Sequence, residues 1–244
     1  LDYMIKNDRL KLFGETALST ASGATATLAA LQWTPTSEAT ATLLYRNYSP
    51  RYHALFASAF SRTAHVRNEE GLHLGLTFAP FARWQFTGHA DVFRHPWMKS
   101  RVSAPSIGNE YVVRIDWIDP RETVACYVRF RSQRREADLR TGHEAALRPI
   151  VRRRLRAQLT LAPSLDWALR TALDFSLHQP DSAPAAHGRM ISEAISWRPK
   201  RLPLRAELFA ALFLTDGFAA RIYSYEKNLL YTFATPSLYG RGLR

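Results

Sequence analysis

The chain has 244 residues, of which 33 are Lys or Arg and 21 are Asp or Glu, so its formal net charge is +12. This length allows either a soluble domain with a sizeable core or a single membrane barrel. The single cysteine, Cys126, excludes an intramolecular disulfide and a cysteine-rich metal site. The basic excess suits a polyanionic neighbour such as nucleic acid or phosphorylated lipid headgroups, but arginines paired with acids inside a polar lumen would explain it equally well.

The sequence lacks the ~18 consecutive apolar residues that a membrane helix requires. It also opens directly into strand-like residues at Leu1-Asp2-Tyr3, without a signal peptide. For an exported protein we therefore expect a signal upstream of Leu1. Barrel strands are short and only half apolar, so a membrane barrel stays open as an interpretation.

Apolar and polar residues alternate with a period of two through most of the chain, which is typical of β-strands. Leu72, Leu74 and Leu76, for example, alternate with His73 and Gly75. Each such run has one apolar and one polar wall. About twelve strands are predicted, near residues 8–18, 24–34, 39–49, 71–79, 84–94, 109–118, 123–133, 151–162, 167–178, 189–198, 202–214 and 221–233.

Short and long connections alternate between these strands. The short ones contain proline, which lacks a ladder donor and is confined to strand ends; they lie at 34–36, 79–81, 119–121, 162–164 and 198–200. The long ones are polar and lie near 49–70, 95–108, 132–150 and 178–188. Outer-membrane barrels have this asymmetry of short periplasmic turns and long extracellular loops. Aromatic residues cluster at the strand ends, as an interfacial girdle requires: Trp33, Tyr48, Trp84, Trp97, Trp117, Trp167 and Trp197.

These patterns predict an all-β fold, a transmembrane antiparallel up-and-down β-barrel that forms one domain over residues 1–244. The predicted location is the outer membrane of a Gram-negative bacterium. Soluble all-β folds are the alternative: a propeller, whose blades also repeat near 40 residues, or a sandwich. A sandwich would not place arginine regularly on the wall opposite the apolar one.

Four segments carry a resemblance to a known family. They run from Leu44 to Phe56, from Asn68 to Gly71, from Phe93 to Trp97 and from Leu238 to Gly242. With them the chain resembles the barrel portion of bacterial outer-membrane proteins that carry N-terminal helix-hairpin-helix modules. In that family the modules are presumed to bind nucleic acid. This chain contains no such module, so the resemblance assigns DNA binding to none of its residues.

The ends of the chain depart from the usual barrel pattern. The Tyr239-Gly240-Arg241-Gly242 segment resembles a turn that leads into a final strand, and Arg244 is not the aromatic residue on which barrels usually end. An open sheet edge would leave unpaired backbone groups in lipid. We therefore expect that a missing segment or a partner chain completes the barrel.

With the apolar walls facing lipid, the opposite wall faces the lumen. The predicted anion-facing residues of the lumen are Arg114, Arg129, Arg131, Arg154, Arg156, Arg170 and Arg205. The predicted lumen acids are Asp91, Asp116, Asp174 and Glu207. Rings of arginine favour phosphate and carboxylate, which predicts an anion-selective pore. A plugged, salt-bridged interior is the alternative, because about twelve strands leave little open width.

A second basic cluster surrounds the predicted 132–150 connection. Its members are Arg134, Arg135, Arg140, Arg148, Arg152, Arg153 and Arg154. Such a cluster could hold lipopolysaccharide phosphates or DNA, or it could be the solvated rim of a loop.

Catalysis has one candidate pair, His89 and Asp91, which lie two apart on one predicted strand and face the same wall. The sequence has no strained Gly-x-Ser-x-Gly turn and no His-Glu-x-x-His spacing. We therefore expect no enzyme, no cofactor and no metal site.

The predicted function is a pore, a transport component or a scaffold with a basic lumen. Lipid bilayer and lipopolysaccharide are the expected partners, with nucleic acid or another polyanion as a further hypothesis. The alternatives are a barrel enzyme that acts on lipid or peptide, and a soluble β-rich binding module.

Overall fold

The computed structural model describes residues 1–54, 56–141, 144–200, 203–224 and 235–244. In chain order its elements are β1 (Asp2–Lys6), β2 (Leu10–Ser19), β3 (Ala24–Thr36), β4 (Ala39–Tyr48), β5 (Glu69–Phe78), β6 (Trp84–His95), β7 (Ser106–Ile118), β8 (Val124–Thr141), β9 (Glu144–Leu161), β10 (Trp167–Pro180), β11 (Ala186–Trp197), β12 (Ala206–Thr215), the 3-10 helix η1 (Phe218–Ala220), β13 (Ile222–Tyr223), β14 (Ser237–Leu238) and β15 (Arg241–Leu243). Over these residues the chain has no helix long and apolar enough to span a membrane.

The strands form an antiparallel up-and-down sheet, as the alternation predicts. The main sheet has 13 strands, in which β1 to β12 follow one another in chain order and β15 pairs with β12. A second, two-stranded sheet joins β13 to β14. Prediction missed β1, whose five residues are too few for a clear alternation. The predicted strand at 221–233 begins with β13, and its residues 225–233 lie outside the described part of the chain.

The predicted connection at 132–150 is wrong, because β8 and β9 each extend over 18 residues and occupy most of it. Polarity was the reason for expecting a loop there. Ladder hydrogen bonds do not depend on side-chain polarity, so a hairpin with polar residues on both faces continues as a strand pair where water reaches both faces.

The exposure of the two strand faces is the reverse of that in a water-soluble protein: apolar side chains are exposed and charged ones are buried. On β5, Leu72, Leu74 and Leu76 are 40–50% exposed, whereas Glu69 on the other face has no exposed surface. Arg46 on β4 is also fully buried. Charged residues are almost never fully buried in water-soluble proteins unless they are paired. A row of exposed leucines above buried charges is the pattern of a strand whose apolar face meets lipid.

The described residues fall into two compact units. The first unit comprises 1–80, 86–112 and 133–150, and the second comprises 81–85, 113–132 and 151–244. A small apolar cluster in the first unit contains Ala24, Ala26, Tyr48 and Tyr52. The corresponding cluster in the second unit contains Met190, Ala211, Ile222 and Leu238. Both clusters are far smaller than the core of a soluble domain, in line with the outward-facing leucines.

Tryptophans pair at the strand ends of the second unit. Trp167 lies directly across from Trp197 in the β10–β11 register, with ring centroids 6.0 Å apart, and the Trp84 and Trp117 centroids are 6.4 Å apart. Paired, amphipathic rings at strand ends suit a membrane interface. Tyr48 was wrongly placed in this girdle: it is 1% exposed, and its hydroxyl donates to the Phe60 carbonyl oxygen at 2.9 Å.

The short turn between β7 and β8 is organised by Asp119. Its carboxylate accepts hydrogen bonds from the backbone N–H of Val124 at 2.8 Å, from that of Arg121 at 3.1 Å and from the Thr123 hydroxyl at 3.1 Å. These bonds, first among them the one from Val124, hold the pKa of Asp119 below its ordinary value of 3.8.

We expect Asp119→Ala to lower the urea midpoint of unfolding at neutral pH, because the turn loses the acceptor for three donors. A lowered pKa in the folded state means that this contribution is present above the unfolded-state pKa and is lost as the pH falls through the lower, folded-state value. The difference in midpoint between wild type and variant should therefore shrink in acid. Arg121→Ala, which keeps its backbone N–H, is the control. A difference that stays constant from neutral to strongly acidic pH would contradict this role for the carboxylate.

Candidate functional site

Arg46 on β4 is the centre of a buried ionic network in the first unit. Its Nε donates to Glu69 Oε1 at 2.5 Å, and its Nη1 and Nη2 donate to the two oxygens of Asp91 at 2.8 and 3.2 Å. All three side chains have no exposed surface. A two-pronged arginine–carboxylate pair is among the strongest hydrogen-bonded arrangements in proteins, and it also fixes orientation.

The register of three neighbouring strands brings these groups together. Arg46 on β4 lies across from Gly71 on β5, and Gly71 in turn lies across from Phe93 on β6. The guanidinium therefore passes over a residue without a side chain and reaches Asp91 on the second strand along. A Cβ added at Gly71 would lie 2.7 Å from Arg46 Cζ, so only glycine leaves room for this path.

The connection between β4 and β5, residues 49–68, is bound to the same polar face by Arg62. The Arg62 Nε donates to Asp91 Oδ2 at 2.5 Å, and its Nη1 donates to Glu110 Oε1 at 3.0 Å. Its backbone N–H donates to Glu69 Oε2 at 2.9 Å. One residue of the connection thus contacts carboxylates from β5, β6 and β7.

Phe60 adds aromatic contacts to this attachment. The Arg46 guanidinium lies 5.1 Å from the centroid of the Phe60 ring, and the His73 ring meets Phe60 edge-on at 4.9 Å. Arg62 lies 5.4 Å from the ring of Phe93. Desolvated contacts of this kind between a cation and a ring are attractive. The connection therefore packs on the polar face through both ion pairs and aromatic contacts.

Asn68 joins this connection to the one that follows β6. Its side-chain amide donates to the Trp97 carbonyl at 2.8 Å and to that of Met98 at 3.3 Å, and its Oδ1 accepts from the Trp97 N–H at 2.8 Å. Asn68 has a φ of 54°, a left-handed conformation that asparagine tolerates better than most residues. His95 Nδ1 lies 2.8 Å from the backbone carbonyl oxygen of Asn68. Three of the four segments that carry the family resemblance thus meet in this one network.

Two histidines lie beside the network. The rings of His73 and His89 are 5.2 Å apart. His89 Nε2 is 3.3 Å from Glu110 Oε1, and His73 Nδ1 is 3.9 Å from Asp91 Oδ1. No three His, Cys, Asp or Glu side chains in the described ranges are arranged to hold a metal ion. The arrangement is therefore one of imidazoles adjacent to carboxylates, which is a geometry for proton transfer.

Of the predicted lumen residues, Asp91 lies in the first unit, as described above. The others lie in the second unit. There the acids contact arginines: Asp116 pairs with Arg114, Asp174 with Arg156 at 3.2 Å, and Glu207 with Arg170 at 3.3 Å. Arg129, Arg131, Arg154 and Arg156 line one cavity with Asp174. All of these residues lie on the strand faces opposite the exposed apolar ones.

Arg205 differs from its predicted placement. It is exposed and precedes β12, which begins at Ala206, so it belongs to a connection and not to a polar strand face. In the second basic cluster, Arg134, Arg135, Arg148, Arg152, Arg153 and Arg154 lie on the paired strands β8 and β9 instead of a loop. The side chain of Arg140 lies outside the described part of the structure.

Arg46, Arg62, Glu69 and Glu110 were not among the site residues predicted from the sequence. The period of two could have indicated three of them, because Arg46, Glu69 and Glu110 occupy polar-wall positions of their strands. For Arg62 there was no signal, since it lies in a connection and its partners come from three separate strands.

No family model matches the sequence, and a comparison with curated proteins yields no match. Solved structures that share its fold include two of an outer-membrane protein of Vibrio cholerae. A loop L8 deletion mutant of OmpT, an outer membrane protein of Vibrio cholerae, has a TM-score of 0.54 and 9% identity, over 88% of this chain and 73% of that one. Outer-membrane expressed OmpT of Vibrio cholerae has a TM-score of 0.53 and 8% identity, over 91% of this chain and 72% of that one.

Identities this low show the fold alone. The chain has the all-β, antiparallel up-and-down fold of an outer-membrane β-barrel, which confirms the predicted fold class. The predicted outer-membrane location agrees with the fold of these neighbours.

The expectation that the chain is not an enzyme is corrected by the same comparison. It rested on the absence of a catalytic motif from the sequence, and the outer-membrane β-barrel fold that the chain shares with OmpT does not exclude an activity. The physical reason is visible in the first unit. His89 lies on β6 and its partner Glu110 on β7, so no short sequence motif could have indicated their contact.

Gly71→Ala should destabilise the first unit by about 2 kcal/mol, because the new methyl group would displace the Arg46 guanidinium and leave buried carboxylates poorly paired. Gly75→Ala, on the same face of β5, is the matched control: its added Cβ would meet its nearest neighbour, His73, at an ordinary 3.6 Å. The measurement is the free energy of unfolding in detergent or lipid. Equal stability of the two variants would show that Arg46 does not need the space at Gly71.

Proposed function

We propose that this protein forms a pore across a bacterial outer membrane, and that the 49–68 connection narrows its polar lumen. The observation that carries this proposal is the attachment of Arg62 to Asp91 and Glu110 on the polar faces of β6 and β7. A connection held on the polar side of lipid-facing strands lies in the path that a solute would take. Charged rings at such a constriction select among ions.

The charges of this constriction nearly balance, which supports a filter rather than an open channel. Arg46 and Arg62 face Glu69, Asp91 and Glu110. Asp91 is fully buried and Glu110 nearly so, and loss of Arg62 would leave these carboxylates with less compensating charge, so the connection should stay in place without a ligand. Passage is then limited to small solutes.

The expected surroundings follow from the strand faces and the net charge. We propose the lipid bilayer as the neighbour of the exposed leucines, and lipopolysaccharide as that of the basic residues on β8 and β9. Contact with nucleic acid stays a prediction that rests on the +12 charge and on the family resemblance. A transport or scaffold role, and completion of the wall by another segment or chain, likewise stay predictions.

Arg62→Ala is expected to raise single-channel conductance in planar bilayers and to increase current noise. Its loss removes both ion pairs of the connection, which would then leave the polar face more often. Arg94→Ala is the matched control, because Arg94 pairs with Glu70 on the exposed face of the same strands. Two results would reject the constriction. One is a wild-type protein without conductance that stays without conductance in Arg62→Ala, and the other is an equal change of conductance in both variants.

Hydrolysis is a second candidate function, favoured by the contact of His89 Nε2 with Glu110 Oε1 at 3.3 Å. The His89 side chain is 31% exposed, so a water molecule can reach it. In this proposal the imidazole takes a proton from that water as the water attacks an ester or peptide carbonyl. Glu110 stabilises the imidazolium, which then returns the proton to the leaving group.

His89→Ala should reduce the cleavage of fluorogenic ester or peptide substrates by about 10²-fold or more, the usual contribution of a general base. The purified full-length protein is assayed beside Arg94→Ala, which should retain the rate. Absence of cleavage by the wild type, or a rate unchanged in His89→Ala, would discard the hydrolase and leave the pore proposal untouched.

A further inference from the structure

The first unit contains a cleft that is lined by two of its long connections, residues 49–68 and 96–105. The volume of this cleft is about 640 Å³, which is within the range of small-molecule sites. The side chains that could hold a ligand come from both connections: His65, Arg67, Trp97, Met98 and Lys99. None of them belongs to the constriction described above, so the cleft is a separate feature of the same unit.

The cleft lies beyond the lipid-facing part of the strands. On β5 the row of exposed leucines ends at Leu72, and the next outward position is Glu70, which pairs with Arg94 on β6. Trp97 follows three residues after Arg94. Charged side chains on the outer face of a barrel mark the level at which hydrocarbon ends. Trp97 and Met98, which are 59% and 53% exposed, therefore do not need acyl chains to explain their exposure.

Backbone hydrogen bonds fix the wall that carries these two apolar side chains. The N–H and the carbonyl of Trp97 both bond to the side chain of Asn68, each at 2.8 Å. Lys99 and Val102 exchange two backbone hydrogen bonds, at 3.0 and 2.9 Å, and Val102 is 5% exposed. A ligand would therefore meet a preformed surface, and its binding would order few additional groups.

The charged lining of the cleft is cationic. Arg67 and Lys99 line it, and no Asp or Glu of the described residues does. Neither cation forms an ion pair with a described carboxylate, and the neighbouring Glu69 is paired with Arg46 instead. Burial lowers the pKa of the Lys99 ammonium; Glu69 opposes this shift, and Arg135 adds to it. An anion in the cleft would stabilise the charged form of Lys99.

We propose that this cleft binds a small phosphorylated sugar. The face of an indole ring carries negative partial charge, so it attracts the C–H groups of a pyranose ring and packs against them. Arginine binds phosphate through paired hydrogen bonds and lysine binds it as a point charge. The Ser100 hydroxyl and the His65 imidazole, which also line the cleft, can exchange hydrogen bonds with sugar hydroxyls.

Other ligands of this size use only part of the lining. An acyl chain would leave the cations without partners, and inorganic phosphate would leave the exposed indole uncovered. A phosphorylated sugar matches both the aromatic and the cationic side chains. The site goes beyond the pore proposal, since binding does not require passage.

The test is a calorimetric titration of the purified full chain in detergent with glucose 6-phosphate, at constant ionic strength. Saturable binding is expected, and glucose and inorganic phosphate should each bind at least about tenfold more weakly, because each lacks one of the two recognised parts. Trp97→Ala and Arg67→Gln should each weaken the binding of glucose 6-phosphate at least about tenfold, the loss expected for an aromatic contact or a charge-assisted hydrogen bond. Both side chains are exposed, so both variants should fold.

Trp33→Ala and Arg51→Gln are the matched controls. Trp33 is 50% exposed on β3, Arg51 is exposed on the same connection as Arg67, and neither lines the cleft. Both controls should bind glucose 6-phosphate as tightly as the wild type.

Three results overturn the proposal. The first is absence of saturable binding by the wild type, and the second is equal weakening in the cleft variants and the controls. The third is binding of lipopolysaccharide without binding of glucose 6-phosphate, which would make the cleft a lipid-headgroup site. These titrations measure binding and not conductance, so failure of the pore proposal does not decide them.

Discussion

The first unit depends on one interaction, the pairing of the fully buried Arg46 guanidinium with Glu69 and Asp91. A charge without water must be matched by opposite charge and by hydrogen bonds in good geometry. That requirement explains the glycine at position 71, over which the guanidinium passes. It also explains why the backbone of the 49–68 connection approaches the strands at Arg62. The Arg62 N–H donates a further hydrogen bond to the Glu69 carboxylate.

Both units have the same inverted sheet pattern, and ion pairs lie on its polar face in each. Where apolar side chains face outward, the polar face must satisfy its own charges. The first unit does this with near-balanced groups, to which the 49–68 connection contributes Arg62. In the second unit acids of the polar face pair with arginines, as Asp174 does with Arg156 and Glu207 with Arg170.

Local patterns predicted the strands well, because alternation follows from the pleat itself. Leu72, Leu74 and Leu76 all lie on the exposed face, as the period of two requires. Two structural predictions were wrong because they used the type of residue, polar or aromatic, and not the period of two. The polar run at 132–150 was expected to be a loop but continues as β8 and β9. Tyr48 was expected at the membrane interface but is buried, and its hydroxyl donates to the Phe60 carbonyl. The expectation of no enzyme failed for a related reason, since an absent motif says nothing of groups that meet across strands.

The sequence by itself determined which residues share a face, and hence the fold class and the direction in which the leucines point. Each strand carries that information in its own alternation. The tertiary structure alone decided which polar residues touch. Arg46 finds Asp91 through the register of three strands, 45 positions away in sequence, and Arg62 reaches the same carboxylate from a connection without any periodicity. Contacts of this kind depend on strand pairing and on the path of a loop, and a run of neighbouring residues determines neither.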